Sequence, residues 1–215
     1  MPSLLVVDLL AEREAFGKHG TAEIIRHFPG YEIFLWSPHT KDRHDYGYGT
    51  VVDSPVKSDA IFITGSRKNV SQWEPWMDEV ANLIRKSTVP LYGICFGHQI
   101  IAASLGGTVV RAEKGSHFMA PVTYEDGTVV EQLFTHQDHV IDAGELNVIA
   151  SAKHCSIVAC THPTRPIKTV QYHPEAVESV LSHSIICGDM TLSERERYGE
   201  GIQDLDVAES LISEI

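Results

Sequence analysis

PLYGICFGHQIIAASLGG, residues 90–107, places Cys95 between two glycines, directly after an apolar run and directly before a helical pattern. The spacing Gly93-x-Cys95-x-Gly97 is that of a strand-to-helix turn that presents a nucleophile, because glycine tolerates a tight turn and close backbone approach. We expect the turn to expose the sulfur at a helix N-terminus, where partial positive charge favours the thiolate. The N–H of Phe96 would be free to bind an oxyanion. A buried cysteine packed beside two glycines is the alternative interpretation of this stretch alone.

The segments before this turn alternate between two patterns. Strand-like apolar runs lie at 4–10, 31–36, 60–64 and 89–95, and helical spacing occurs at 21–28 and 72–86. This alternation predicts a mostly parallel α/β sheet. Within 72–86 the pattern predicts a buried stripe on one side of the helix and charges on the other, with Trp76, Val80, Leu83 and Ile84 buried and Asp78, Glu79 and Arg85 exposed.

The pattern changes after a helix predicted over 99–105 and closed by Gly106-Gly107. Strand-like runs without intervening helices follow at 108–112, 120–124, 128–134, 146–152, 156–161 and 167–172. We expect them to add antiparallel strands to the sheet. The last residues, VAESLISEI at 207–215, are predicted to form a short terminal helix.

Composition limits the function classes. A chain of 215 residues with 43% hydrophobic content suits one domain over 1–215. The 17 Lys and Arg against 29 Asp and Glu give a net charge of −12, which argues against nucleic acid and anionic membrane as partners. The first residues lack a basic segment and no apolar run approaches a membrane span, so we expect a cytoplasmic protein. The four cysteines are then expected to be free thiols.

A base for Cys95 is offered by KTVQYHPEAVESVL, residues 168–181. If a strand ends here, His173 would follow it, with Glu175 two residues later. The imidazole would take the thiol proton while the carboxylate holds the opposite ring nitrogen. Alone, His-Pro-Glu is also a simple strand-to-helix turn with proline in the first helical position.

These segments together resemble a known family. GICFGHQIIAASLGG is similar to the nucleophile segment of the class I (triad) glutamine amidotransferases, and VQYHPE to their His-x-Glu segment. AIFITGSR, residues 60–67, falls at the position of their glycine-rich oxyanion loop, and FTHQDHV, residues 134–140, resembles the His-x-Asp-x-Val stretch of the GMP-synthase-like members. The resemblance covers roughly 60–180. It implies a Rossmann-like (flavodoxin-like) fold with the site at the carboxyl end of the central strands.

The resemblance also implies roles for the triad. Cys95 would attack the side-chain amide of glutamine, His173 would protonate the departing ammonia, and Glu175 would orient His173. A γ-glutamyl thioester would form and be hydrolysed.

Further residues take roles from the same resemblance. The N–H groups of Phe96 and of the Gly65-Ser66 turn would hold the oxyanion. Gln99 matches a glutamine that helps to bind the substrate. His136 and Asp138 match a loop on the substrate side of the site.

The oxyanion segment departs from the family pattern. The family has Gly-Gly-Pro where this chain has Gly65-Ser66-Arg67. Arg67 and Lys68 add positive charge beside the expected pocket, where they would pair with a substrate carboxylate or remain solvated. No segment resembles an ATP-binding loop, so either a synthetase partner uses the ammonia or glutamate is the product. We expect no cofactor and no metal.

Three functions remain open at this point. The first is glutamine hydrolysis, the second is a γ-glutamyl peptidase or hydrolase with the same triad, and the third is a non-autonomous subunit that depends on a synthetase. KHCSIVACTH, residues 153–162, is interpreted as a strand rather than a metal site, because alternation explains its cysteines. HTKDRHDYGYG, residues 39–49, is interpreted as a polar loop.

Overall fold

Strands and helices alternate in the first half of the chain, as the sequence predicts. The computed structural model describes residues 1–199, so the terminal helix predicted over 207–215 lies outside the described residues. The elements in chain order are β1 (Ser3–Val7), α1 (Glu14–Ile25), β2 (Glu32–Trp36), β3 (Thr50–Val51), β4 (Ala60–Ile63), α2 (Pro75–Lys86), β5 (Leu91–Ile94), α3 (Phe96–Ser104), β6 (Thr108–Tyr124), β7 (Val129–Asp142), β8 (Asn147–Ala152), β9 (Cys155–Thr161), β10 (Ile167–Val170), α4 (Glu178–Ile186) and α5 (Leu192–Glu196).

One sheet contains ten strands in the order β3-β2-β1-β4-β5-β10-β9-β8-β6-β7. The strands from β3 to β10 in this order run parallel to their neighbours. The pairs from β10 to β7 are antiparallel. The mostly parallel sheet with added antiparallel strands is therefore confirmed, and its parallel half has the Rossmann-like, flavodoxin-like arrangement.

Helices cover both faces of the parallel half. In β1, Leu5 and Val7 join an apolar cluster with α2 and α3, while Leu4 and Val6 join a second cluster with α1. All four are buried, as strands covered on both faces require. Helix α2 buries Met77, Val80, Ala81 and Ile84, leaves Trp76 and Leu83 partly buried against the same core, and exposes Asp78, Glu79 and Arg85. The predicted stripe is thus correct in direction but omitted Met77 and Ala81.

The β6–β7 hairpin differs from the prediction. Residues 108–112 and 120–124 belong to one strand of 17 residues, with a register shift between Arg111 and Ser116. Strand β7 continues through 134–140, so the prediction that His136 and Asp138 lie in a loop is wrong. Polar residues on the partly exposed hairpin mask the alternation that normally marks a strand.

The remaining local predictions concern cysteines and loops. All four cysteines lie within the described residues and none forms a disulfide. Cys155 and Cys160 are buried in β9, so the strand interpretation is confirmed for 155–161, while residues 153 and 154 form the turn before it. Residues 39–49 form the connection between β2 and β3.

Within residues 1–199, the helices are too short or too polar to cross a membrane.

The sheet brings four chain segments to one edge. Arg13, Gly65, Cys95 and His173 follow β1, β4, β5 and β10, which are parallel to one another. The carboxyl ends of parallel strands meet at the same edge of a sheet, and ligands bind there in open α/β folds. This edge is the candidate site.

Candidate active site

The backbone at Cys95 makes a sharp turn between β5 and α3. Its φ is +52° and ψ is −102°, and only Tyr46 shares a positive φ among the described non-glycine residues. The turn is held on both sides, since the N–H of Cys95 donates to the Val170 carbonyl at 2.8 Å and its carbonyl accepts from the N–H of Gln99 at 3.1 Å. Such a conformation costs about 1–3 kcal/mol and is typical of functional sites.

The two flanking glycines are required by close backbone contacts. A Cβ on Gly97 would lie 2.3 Å from the carbonyl oxygen of Ile63, and a Cβ on Gly93 would lie 2.7 Å from the carbonyl carbon of Gly97. Both distances are far below van der Waals contact. The glycines therefore allow α3 to begin at Phe96, directly against β4.

The thiol of Cys95 lies at the floor of the site rather than in the open. The residue is 4% exposed, and the Sγ donates a weak hydrogen bond to the Thr135 carbonyl of β7 at 3.7 Å. The expectation of an exposed sulfur is therefore wrong for this conformation. The physical reason is the length of β7, whose extension beyond residue 134 covers the turn.

His173 and Glu175 form a buried pair behind the thiol. Nδ1–H of His173 donates to Oε1 of Glu175 at 2.8 Å, and the two residues are 7% and 1% exposed. The backbone N–H of His173 donates to the Leu133 carbonyl at 2.9 Å, which fixes the turn after β10 against β7. A Cβ on Gly20 of α1 would lie 3.7 Å from Cγ of Glu175, so α1 packs directly behind the carboxylate.

Electrostatics favours a charged His173. Burial lowers its pKa, but the carboxylate of Glu175 and the sulfur of Cys95 act in the opposite direction, and the net pKa lies well above its usual value. Nε2, the ring nitrogen left for the thiol, has no well-aligned hydrogen-bond partner among residues 1–199. The pair can therefore accept the Cys95 proton and keep it as an imidazolium beside the thiolate.

The predicted oxyanion turn, Gly65-Ser66, lies against the side chains of Cys95 and His173. A Cβ on Gly65 would lie 3.1 Å from Cε1 of His173 and 3.7 Å from Cβ of Cys95. Thr64 holds this turn, because its Oγ1 accepts from the N–H of Leu9 at 2.9 Å and lies 3.0 Å from the Gly65 carbonyl. The Ser66 hydroxyl accepts from the N–H of Lys68 at 3.1 Å.

A cleft of about 420 Å³ opens above the thiol. Of the residues predicted from the sequence, those that line it are Ser66, Arg67, Lys68, Cys95, Phe96, Gln99, His136, Asp138 and His173. Glu175 lies behind His173 and does not line the cleft. The fold thus brings these predicted residues to one site.

Gln99 and Asp138 are tied into the cleft wall. The side-chain nitrogen of Gln99 donates to the Asp138 carbonyl at 2.9 Å and to Oε1 of Gln171 at 3.1 Å. Both carboxylate oxygens of Asp138 accept from Ser71, from its N–H at 2.7 Å and its hydroxyl at 2.8 Å. Asp138 therefore anchors the loop that follows the oxyanion turn.

His136 is neutral in this wall. Burial lowers its pKa to about 3, against the hydrogen bond that Nδ1–H donates to the Asp138 carbonyl at 2.9 Å. Its Nε2 is buried and has no partner among the described residues. His136 thus keeps an acceptor nitrogen buried within the wall of the cleft.

Sequence reasoning missed several residues of this site. Thr64 and Ser71 position the oxyanion segment, Thr135 covers the thiol, and Arg13 lines the far side of the cleft. Their contacts join segments that are distant in sequence, and no local motif marks them. Arg13 precedes α1 and is indistinguishable in sequence from an ordinary charged residue at a helix start.

Comparison with known proteins assigns the family. The sequence model of the family described as glutamine amidotransferase class-I matches residues 36–190, which is more than half of the chain. The chain therefore belongs to the class-I glutamine amidotransferases.

The chain is similar to proteins named as glutamine-hydrolyzing GMP synthases. A glutamine-hydrolyzing GMP synthase from Parafrankia sp. is 31% identical over 143 residues, which are 60% of this chain and 26% of that protein. One subunit of the glutamine-hydrolyzing GMP synthase from Methanothermobacter thermautotrophicus is 31% identical over 111 residues, which are 47% of this chain and 60% of that protein. The chain thus spans less than two thirds of either relative's length.

A solved structure supports the same fold. A glutamine amidotransferase from Thermotoga maritima superposes with a TM-score of 0.69 at 15% identity, covering 91% of this chain and 85% of that one. At this identity the similarity concerns the fold alone.

Proposed function

We propose that this chain hydrolyses the side-chain amide of glutamine through Cys95, His173 and Glu175. The Cys95 thiolate attacks the amide carbon, and the C–N bond breaks as His173 gives its proton to the leaving ammonia. Water then attacks the γ-glutamyl thioester while His173 takes one of its protons. The products are glutamate, ammonia and the regenerated thiolate.

One observation carries this proposal. A cysteine in a strained turn at a helix N-terminus shares a buried site with a histidine whose other ring nitrogen is bonded to a carboxylate at 2.8 Å. That arrangement supplies a nucleophile, a base that becomes the acid, and a group that orients the base. A structural role for the cysteine explains neither the positive φ nor the buried carboxylate behind the imidazole.

The oxyanion would be held by backbone donors on two sides of the thiol. The first is the N–H of Phe96 at the start of α3, where the helix dipole adds favourable charge. The second is the Gly65-Ser66 turn, which lies against Cys95 and His173. Gln99 and His136 line the β7 side of the cleft, where the glutamyl half of the substrate would bind.

A synthetase partner is the proposed destination of the ammonia. Some relatives are named as one subunit of a glutamine-hydrolyzing GMP synthase, and such a name denotes part of a larger enzyme, which supports this proposal. In such assemblies, docking would align the donors of the oxyanion turn and raise the rate of glutamine hydrolysis. The turn here departs from Gly-Gly-Pro, which is consistent with a low rate before docking.

The test is release of glutamate and ammonia from glutamine by the purified chain, alone and with a candidate synthetase. Cys95→Ala is expected to abolish release without lowering the melting temperature, while the matched variant Cys187→Ala retains it, because Cys187 is exposed and does not line the cleft. Equal release by wild type and Cys95→Ala would refute the proposal.

A further inference from the structure

The cleft extends past the thiol on the side away from β7. In the sheet, β4 and β1 lie on one side of β5, while β10 and the antiparallel strands lie on the other. Arg67 follows β4 and Arg13 follows β1, and both line the cleft. If the glutamyl half binds against Gln99 and β7, as proposed above, the part of the cleft lined by these two arginines remains available to the leaving group.

Arg13 is held in a fixed orientation. Its guanidinium donates to the Asp189 carbonyl and lies 3.7 Å from the Asp189 carboxylate, and it stands 5.1 Å from the centroid of the Phe16 ring. The Asp189 carboxylate also accepts from the backbone N–H of Phe16 at 3.0 Å. The cation is therefore ordered before any ligand arrives, which reduces the entropic cost of binding one.

Arg67 carries a charge that the described residues leave unpaired. It is exposed, and no hydrogen bond or ion pair links it to another residue within 1–199. Burial lowers the pKa of Arg13, and the nearby charge of Arg67 lowers it further, whereas the negative charge of Asp189 raises it. Two guanidiniums that repel each other across a cleft are relieved when an anion binds between them.

The acidic side chains of this region are already engaged. Asp189 is bonded to Arg13 and to the backbone of Phe16, and the Glu194 carboxylate accepts from the N–H and hydroxyl of Thr191 at 2.8 Å. Arg13, Arg67 and Arg197 outnumber these two carboxylates in this part of the cleft, which therefore favours anions, although the chain as a whole carries −12.

The volume of the cleft points in the same direction. At about 420 Å³ it falls in the range of sites for molecules larger than one amino acid. Free glutamine on the β7 side would leave the Arg13 end unfilled. A substrate with a group beyond the scissile amide would fill it.

We propose that Arg13 and Arg67 form a subsite for a carboxylate on the leaving group, so that besides glutamine the site accepts γ-glutamyl amides of amino acids and prefers them to γ-glutamyl amides whose leaving group has no carboxylate. This inference rests on the proposed function, because it uses the same nucleophile. The Cys95 sulfur forms a bond to the γ-carbonyl carbon, the C–N bond to the amino acid breaks, and His173 gives its proton to that nitrogen. Water then hydrolyses the thioester to glutamate.

The experiment compares three substrates: glutamine, γ-glutamylglycine, and γ-glutamylethylamide, whose leaving group has no carboxylate. For the wild type we expect kcat/KM on γ-glutamylglycine to exceed that on γ-glutamylethylamide by about tenfold to a hundredfold, the range for one hydrogen bond to a charged group. Arg67→Gln is expected to abolish this preference by raising KM more than it lowers kcat, and to leave γ-glutamylethylamide within about twofold.

Two further measurements isolate the subsite. Lys86→Gln removes the same charge from an exposed position at the end of α2 and is expected to behave as wild type. In the Cys95→Ala background, calorimetric titration with γ-glutamylglycine reports binding without turnover. The additional Arg67→Gln substitution is expected to weaken that binding by the same factor.

The outcomes separate this inference from the proposed function. The subsite is overturned, and the proposed function left intact, if glutamine is hydrolysed but kcat/KM is equal on γ-glutamylglycine and γ-glutamylethylamide. An equal loss of kcat/KM on all three substrates in Arg67→Gln has the same consequence. Absence of Cys95-dependent hydrolysis of any of the three, with and without a synthetase, overturns the proposed function itself.

Discussion

Replacing Glu175 by Gln removes one buried negative charge from behind His173 while keeping nearly the same shape. Oε1 of Glu175 lies 2.8 Å from Nδ1 of His173, so the carboxylate directly stabilises the imidazolium. A unit charge about 4 Å away contributes about 4 kcal/mol at an effective dielectric constant near 20. If that stabilisation is lost from the thiolate–imidazolium pair, kcat falls by about a thousandfold. The glutamine side chain can still accept from Nδ1–H, so we expect the loss to be smaller than in His173→Ala.

The pH dependence of this variant gives a second readout with a defined sign. Burial lowers the pKa of His173, but Glu175 and Cys95 hold it well above its usual value. Removing the carboxylate removes a raising contribution, so the variant loses its imidazolium at lower pH. The alkaline limb of the kcat/KM profile, measured by glutamate release, is therefore expected to move toward neutral pH.

The matched control is Glu79→Gln, which removes the same charge from an exposed position on α2. It is expected to leave both rate and profile unchanged. The reasoning is refuted if Glu175→Gln retains activity within about threefold of wild type with an unchanged alkaline limb.

Three other predictions concern the turn, the thiols and the cleft wall. Gly97→Ala places a Cβ 2.3 Å from a backbone oxygen of β4 and is expected to lower the melting temperature by several degrees. Gly20→Ala is expected to be neutral or stabilising, because its Cβ meets nothing closer than 3.7 Å. Equal effects of the two substitutions would contradict the packing argument. A bulky thiol reagent should label exposed Cys187 first. In the Cys187→Ser variant, a small alkylating reagent should inactivate the enzyme in proportion to labelling of Cys95. Labelling of Cys95 without loss of activity would contradict its role as the nucleophile. Asp138→Asn frees the loop after the oxyanion turn and should lower kcat about tenfold with little change in the profile's alkaline limb; unchanged kcat would show that this anchor is dispensable.

The parts of the fold that were predictable are those set by local chemistry. The parallel strands are apolar along their whole length because both faces are covered, and this marks them in the sequence. The glycines around Cys95 are likewise readable, because only glycine permits the close contacts that the turn makes. His173 and Glu175 are two residues apart in sequence, so the buried pair that they form could be predicted from this segment alone.

The parts that were not predictable depend on contacts between distant segments. Asp138 and Ser71 are 67 residues apart, and Arg13 and Asp189 are 176 apart, so neither pair leaves a local pattern. The path of β7 over the thiol is hidden as well, since its polar residues obscure the alternation of a strand. These segments are polar because they line a cleft, so the site was harder to predict from the sequence than the core.

The central claim is that Cys95 forms a covalent γ-glutamyl intermediate. It is tested most directly by mixing the purified chain with glutamine, denaturing it in acid within the first turnovers, and mapping the cysteine peptides by mass spectrometry. We predict a γ-glutamyl adduct on the peptide that contains Cys95 and no adduct in the Cys95→Ala variant. Turnover of glutamine with the Cys95 peptide unmodified, or with the adduct on Cys155, Cys160 or Cys187, would contradict the account.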